Sequence, residues 1–156
     1  MPHYSTRTLS NWAGAALALA LLAPFPAQAD CFDEAARYHT VNPWILRAIT
    51  AQESGFNPNV KHRPNKDGSI DRGWTGINSV HLPELARYGI TASDLADPCK
   101  SVFLAGWHLR KKINRFGNTW EAVGAYHSQT PSKRDIYAAK IRRIIEFWTA
   151  RGIITQ

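Results

Sequence analysis

Asn42-Pro43-Trp44-Ile45-Leu46-Arg47-Ala48-Ile49-Thr50-Ala51-Gln52-Glu53-Ser54-Gly55 is the stretch on which the reading of this chain turns. Asn42 is a good N-cap, Pro43 suits the first helical position, and Gly55 is a natural stop. Between them Trp44, Ile45, Ala48, Ile49 and Gln52 fall on one stripe, which predicts an amphipathic helix over Pro43–Ser54. Glu53 then stands in the last turn, where the negative end of the helix dipole disfavours an anion. A carboxyl placed there, and desolvated by apolar neighbours, holds its proton more tightly than a free one. That is what a general acid requires.

The segment just beyond, residues 57–72, is rich in Asn, Pro, Lys, Asp and Gly and carries the turn pair Asp67-Gly68. It reads as a long loop or small irregular hairpin, and a loop of that length in a small domain is usually functional. Further on the signals are helical. Residues 82–88 form a short helix closed by Gly89. Asp97 caps and Pro98 begins a longer one ending at Phe116 before Gly117, with Val102, Phe103, Gly106, Leu109, Ile113 and Phe116 on its apolar period. Thr119 caps a helix over residues 120–126, broken by residues 128–131. The last helix starts near Pro131 or Ser132 and runs to about Ala150, burying Tyr137, Ala138, Ile141, Ile144, Ile145 and Trp148. Residues 32–39 form a first short helix. No strand-period run is present, so the fold class is all-α with a loop or small hairpin inserted beside Glu53.

Residues 1–29 read as a secretory leader: Arg7 is a positive start, 13–23 an unbroken small and apolar run, and Ala27-Gln28-Ala29 an A-x-A cleavage site. That run is shorter than the ~20 residues that span a bilayer, and no later segment is apolar enough. The expectation is a single mature domain over residues 30–156, exported to the periplasm. Cys31 and Cys99 both survive cleavage, and an even count after a leader suggests one disulfide. Closing so long a loop stabilises by up to about 4 kcal/mol on the chain-entropy view. Neither Cys-x-x-Cys nor His spacing accompanies them, so no metal site is expected.

With 19 Lys+Arg against 12 Asp+Glu, the chain is basic, at a formal net charge of +7. The basic residues are scattered, and the densest cluster (Lys140, Arg142, Arg143) lies on the wet side of an amphipathic helix. Nucleic acid is a poor partner for an exported protein, and an anionic extracytoplasmic polymer suits the charge better.

Three segments carry chemistry: Glu53-Ser54-Gly55-Phe56-Asn57-Pro58, Asp71-Arg72-Gly73-Trp74-Thr75-Gly76-Ile77-Asn78-Ser79, and Ala125-Tyr126-His127-Ser128. With Asp97-Pro98-Cys99 and Trp107, in that order and spacing, they resemble the lysozyme-like lytic transglycosylases. The likeness is strongest to the small exported ones that accompany type IV secretion, conjugation, pilus and type III secretion machines. It implies a lysozyme-like fold, no cofactor, and peptidoglycan glycan strands as substrate. It also implies that Glu53 is the sole catalytic acid/base, cleaving between N-acetylmuramic acid and N-acetylglucosamine with formation of a 1,6-anhydro end. Ordinary glycosidases need two carboxylates, but a nucleophile supplied by the substrate removes the need for the second.

The same resemblance assigns Tyr126 to orienting the catalytic carboxylate and places Ser54, Trp74, Ile77, Asn78 and His127 along the substrate. From the residues themselves, Ser54 either meets substrate or helps end its helix. Trp74 either stacks on a sugar or packs in the core, and His127 either contacts sugar or lies exposed. The second segment departs from the family pattern: Thr75 and Gly76 stand where Met and Gln are usual, which puts glycan affinity in question. Two rival readings remain at this point. One is a lysozyme-type hydrolase using Asp67 or Asp71 as second carboxylate, although Asp67 is adequately explained by the turn. The other is a non-catalytic peptidoglycan-binding assembly protein. The other histidines (His39, His62, His81, His108) show no ligand spacing and read as solvated or satisfied core residues.

Overall fold

The structure, a computed structural model, describes residues 30–57 and 59–154. The expected leader and its cleavage site lie outside the described residues, as does Pro58. Six α-helices are present among the described residues: α1 (Cys31–His39), α2 (Pro43–Ser54), α3 (Leu82–Leu85), α4 (Pro98–Phe116), α5 (Trp120–His127) and α6 (Pro131–Ala150). Single 3-10 turns cover Ser79–His81, Ala86–Tyr88 and Asp94–Ala96. The architecture is mainly α, as expected.

Local chemistry explains the helix ends. The Asn42 carboxamide oxygen accepts from the N–H groups of Trp44 and Ile45, and Gly55 closes α2 at φ 59°. Asp30, Asp97 and Thr119 cap α1, α4 and α5 through their side chains. The buried faces differ in part from the expected stripes. In α2 the fully enclosed residues are Leu46, Ala48, Ile49 and Thr50, while Trp44 and Ile45 are half-buried. In α4 Leu104, Ala105 and His108 are buried, whereas Phe103 and Ile113 pack only partly. In α6 only Tyr137 and Ile141 are fully enclosed, because its outer flank faces solvent.

Residues 71–78 hold the one strand pairing among the described residues. Strands β1 (Asp71–Arg72) and β2 (Ile77–Asn78) pair antiparallel, with Asp71 opposite Asn78 and Arg72 opposite Ile77. The small hairpin therefore begins where the expected loop was to end. Its turn is pressed against α4. A Cβ on Gly73 would fall 1.7 Å from the Leu95 carbonyl oxygen, so only glycine fits there. The Thr75 hydroxyl, fully buried, donates to the Ser101 carbonyl at 2.9 Å, and the Thr75 N–H donates to the Ser101 hydroxyl at 3.2 Å.

The core runs through Leu46, Ile49, Leu85, Leu95, Leu109 and Ile141. Helix α4 lies against α1 on one side and α5 on the other, while α6 packs on α5 and α2. Close approach of α5 and α6 needs Gly124, where a Cβ would stand 2.3 Å from the Arg134 carbonyl oxygen. Cys31 and Cys99 form a disulfide with a Cα–Cα distance of 5.4 Å, joining the first turns of α1 and α4. No helix among the described residues is long and apolar enough to cross a membrane.

Candidate active site

A cleft of about 660 Å³ opens between the end of α2, the hairpin with its preceding loop, the middle of α4, and the junction of α5 with α6. Glu53 reaches it because α2 stops at Gly55 with the glutamate in its final turn. The Tyr137 hydroxyl, from α6, donates to Glu53 Oε1 at 2.6 Å. Among the described residues Glu53 Oε2 has no hydrogen-bond partner, and it is not sealed from the cleft.

Glu53 holds its proton more tightly than an ordinary glutamate. Desolvation by burial is the main cause, and the negative charge of Asp71 adds to it. The Tyr137 hydrogen bond, which favours the carboxylate, opposes both. The helix dipole, invoked from sequence, points the same way.

Gly76 explains the departure from the family pattern. Its φ is +66°, and a Cβ there would sit 2.7 Å from Glu53 Oε2. Glutamine, or any residue with a Cβ, would collide with the carboxyl in this arrangement. Thr75 does not line the cleft at all, since its side chain is spent on Ser101 and is fully buried.

Tyr126 lines the cleft, but its hydroxyl does not bond the Glu53 carboxyl. Its hydroxyl donates to the Thr75 carbonyl at 2.8 Å and so braces the hairpin turn. The tyrosine hydrogen-bonded to Glu53 is Tyr137. The sequence marked Tyr137 only as part of a buried stripe, because no local pattern connects residues 84 positions apart. Burial raises the pKa of both phenols, so both remain neutral hydroxyls. His127 lies flat on Tyr137, ring centroids 5.0 Å apart and planes within 7°, and lines the cleft. Burial lowers its pKa.

Of the remaining expected contacts, Ile77 and Asn78 line the cleft. The Asn78 carboxamide is engaged in wiring the hairpin, donating to Asp71 Oδ1 at 2.8 Å and to the Ser69 hydroxyl at 3.0 Å. Ser54 and Trp74 are not among the lining residues. The Ser54 hydroxyl donates to the Thr50 carbonyl at 3.1 Å, which fits the helix-ending alternative. Trp74 packs against both Phe32 and Phe56, with ring centroids at 5.9 and 6.1 Å, which fits its core alternative. Asp67 and Asp71 both reach the cleft. The Asp67 carboxylate accepts from the Ser69 N–H and hydroxyl, as a turn residue does, and these bonds hold its pKa low. No cluster of three or more His, Cys, Asp or Glu suited to a metal ion occurs among the described residues.

Comparison with known proteins gives a consistent picture. The family profile described as "Transglycosylase SLT domain" matches residues 30–144. Invasion protein IagB of Salmonella typhimurium is 41% identical over 127 residues, covering 78% of each chain. Protein IpgF of Shigella flexneri is 37% identical over 112 residues, covering 71% of this chain and 73% of its own. The X polypeptide of Escherichia coli is 36% identical over 122 residues, covering 74% and 72%.

Proposed function

This chain belongs to the transglycosylase SLT domain family and is a peptidoglycan lytic transglycosylase, and we propose that Glu53 alone carries its acid and base steps. The protonated carboxyl, presented through Oε2, gives its proton to the glycosidic oxygen between N-acetylmuramic acid and N-acetylglucosamine as the C1–O4 bond breaks. The resulting carboxylate takes the proton from the muramoyl C6 hydroxyl as O6 bonds to C1. The proton returns to Glu53, no water is consumed, and the strand ends in a 1,6-anhydromuramoyl residue. A carboxyl kept neutral by its surroundings can act as the acid near neutral pH. Tyr137 holds Oε1, which leaves the other oxygen free to face the sugar.

One observation carries this reading: a single carboxyl at the cleft whose burial raises its pKa and whose orientation is fixed by a buried phenol. Glu53→Gln should abolish release of muropeptides from purified sacculi. Mass spectrometry of the wild-type digest should show ends one water lighter than reducing sugars; reducing ends alone would mean hydrolysis. That second, lysozyme-type reading draws support from Asp71, which lines the same cleft and acts on Glu53 through its charge.

The proposal extends to place. A leader cut after Ala29 delivers the enzyme to the periplasm, where it opens the wall for an envelope-spanning secretion or conjugation machine. The relative named as an invasion protein supports that assignment. N-terminal sequencing of the protein from a periplasmic fraction should begin at Asp30; recovery only as an uncut, membrane-held chain would overturn the export step.

A further inference from the structure

The cleft floor away from Glu53 holds an unresolved electrostatic problem. Lys112, on α4, is half-buried and makes neither an ion pair nor a hydrogen bond among the described residues, although it lines the cleft. Its neighbours on the same helix are occupied elsewhere. Lys111 is bound to both carboxylate oxygens of Glu84 and lies over the Trp107 ring, and Arg115 donates to the Gln129 side chain. The cleft acids have partners of their own: Asp67 with Ser69, Asp71 with Asn78, Glu53 with Tyr137. A partly desolvated ammonium without a counter-charge is costly, and both burial and the charges of Lys111 and Arg115 make Lys112 easier to deprotonate.

Beside it lies a second unsatisfied group. His108 is only 5% exposed and forms part of the floor. Its Nε2 meets the Tyr126 carbonyl oxygen at 3.1 Å, and a carbonyl accepts only, so Nε2 carries the hydrogen. Nδ1 is then a lone-pair acceptor, sealed from solvent and without a donor among the described residues. Burial pushes the imidazole down to about 3, so it stays neutral and Nδ1 stays an acceptor. The half-buried His81 ring covers it, with centroids 4.5 Å apart. The floor thus presents one donor seeking an anion, the Lys112 ammonium, with the neutral His108 ring sealed beneath His81 beside it. A peptide bearing carboxylates offers the anion, and a neutral sugar offers none.

We infer that the floor at Lys112, beside His81 and His108, receives the peptide stem carried on the muramoyl lactyl group, with a stem carboxylate on Lys112. This rests on the cleft holding peptidoglycan. It makes Lys112 a specificity residue that distinguishes peptide-bearing strands from stripped ones.

The test is a binding measurement that does not depend on turnover. Glu53→Gln protein, with and without Lys112→Met, is titrated with peptide-bearing glycan oligomers, with the same oligomers stripped by an amidase, and with a neutral N-acetylglucosamine oligomer. Lys112→Met should weaken the peptide-bearing probe about tenfold, the scale of one charge-assisted hydrogen bond, and leave the other two unchanged. Lys112→Arg should recover most of the loss, and Lys112→Gln reads the charge alone should the methionine variant fold poorly. Equal weakening of the stripped probe would assign the ammonium to the bare lactyl carboxylate and overturn the peptide. Equal weakening of the neutral probe, or none of any, would overturn the anion site. Absence of anhydro ends from wild-type digests would sink the proposed chemistry and leave these affinities standing.

Discussion

At Glu53 the two carboxyl oxygens keep different company: Oε1 is bound to a buried phenol and Oε2 is free toward the cleft. Tyr137→Phe removes a hydrogen bond that favours the carboxylate, so Glu53 should hold its proton to still higher pH. The alkaline limb of the pH–rate profile, where the acid is lost, should then move upward. Looser positioning should lower kcat by roughly ten- to a hundredfold. A variant with reduced kcat and an unmoved alkaline limb would mean that Tyr137 only fills space. The same carboxyl has a stability signature. Its folded-state pKa is raised, so its contribution is most favourable at low pH and is lost as pH rises through that folded value. Glu53→Gln escapes the loss. Its thermal midpoint should therefore match or exceed the wild type's at neutral pH, and the gap should close as the pH falls below the ordinary glutamate range. A Gln variant less stable than wild type at neutral pH would contradict desolvation as the cause.

Helix ends were legible from the chain because each is decided by residues within one turn: Asn42-Pro43 and Gly55 bound α2, Asp97-Pro98 opens α4, and Thr119 opens α5. The hairpin was less legible. With two residues per strand it has no period to detect, and its geometry is set by contacts with α4, such as Thr75 on Ser101, 26 positions away. The contact Tyr126 makes was illegible for the same reason: a motif put it at the cleft, which it lines, but its hydrogen-bond partner is a carbonyl of the hairpin turn. Gly76 shows how the element and the chemistry meet. At φ +66° it carries no Cβ penalty, and it lets the turn lie directly on Glu53 Oε2. Gly76→Ala adds a left-handed alanine, costing about 1–2 kcal/mol, and drives a methyl into the carboxyl. Denaturant unfolding should register that modest loss, while kcat should fall much further because the displaced group is the reacting one. Unchanged kcat in Gly76→Ala would show that the carboxyl moves aside without consequence.

Across the whole molecule, the cleft and the disulfide lie in different parts of the helical framework. The cleft walls come from α2, α4, α5, α6 and the hairpin, locked by the α5–α6 approach at Gly124 and by Tyr137 reaching across to Glu53. The disulfide joins the first turns of α1 and α4, and neither cysteine lines the cleft. Its loop closes over a separation of 68 residues, so the chain-entropy view gives up to about 4 kcal/mol of stabilisation, exerted mainly on the unfolded chain. The native packing of α1 on α4 has other supports. Phe32, Ala35 and Ala36 are buried, Gly106 admits the His39 ring, and Arg110 of α4 donates to the His39 carbonyl. Replacing both cysteines by serine should therefore lower the thermal midpoint by on the order of 10 °C. Turnover per folded molecule at 25 °C should stay at the wild-type level. Thermal melts followed by circular dichroism, paired with muropeptide release normalised to the folded fraction, separate the two effects. A fall in normalised turnover would show that the α1–α4 junction sets the cleft geometry through the floor of α4, and that the bond acts on the native state as well as the unfolded one.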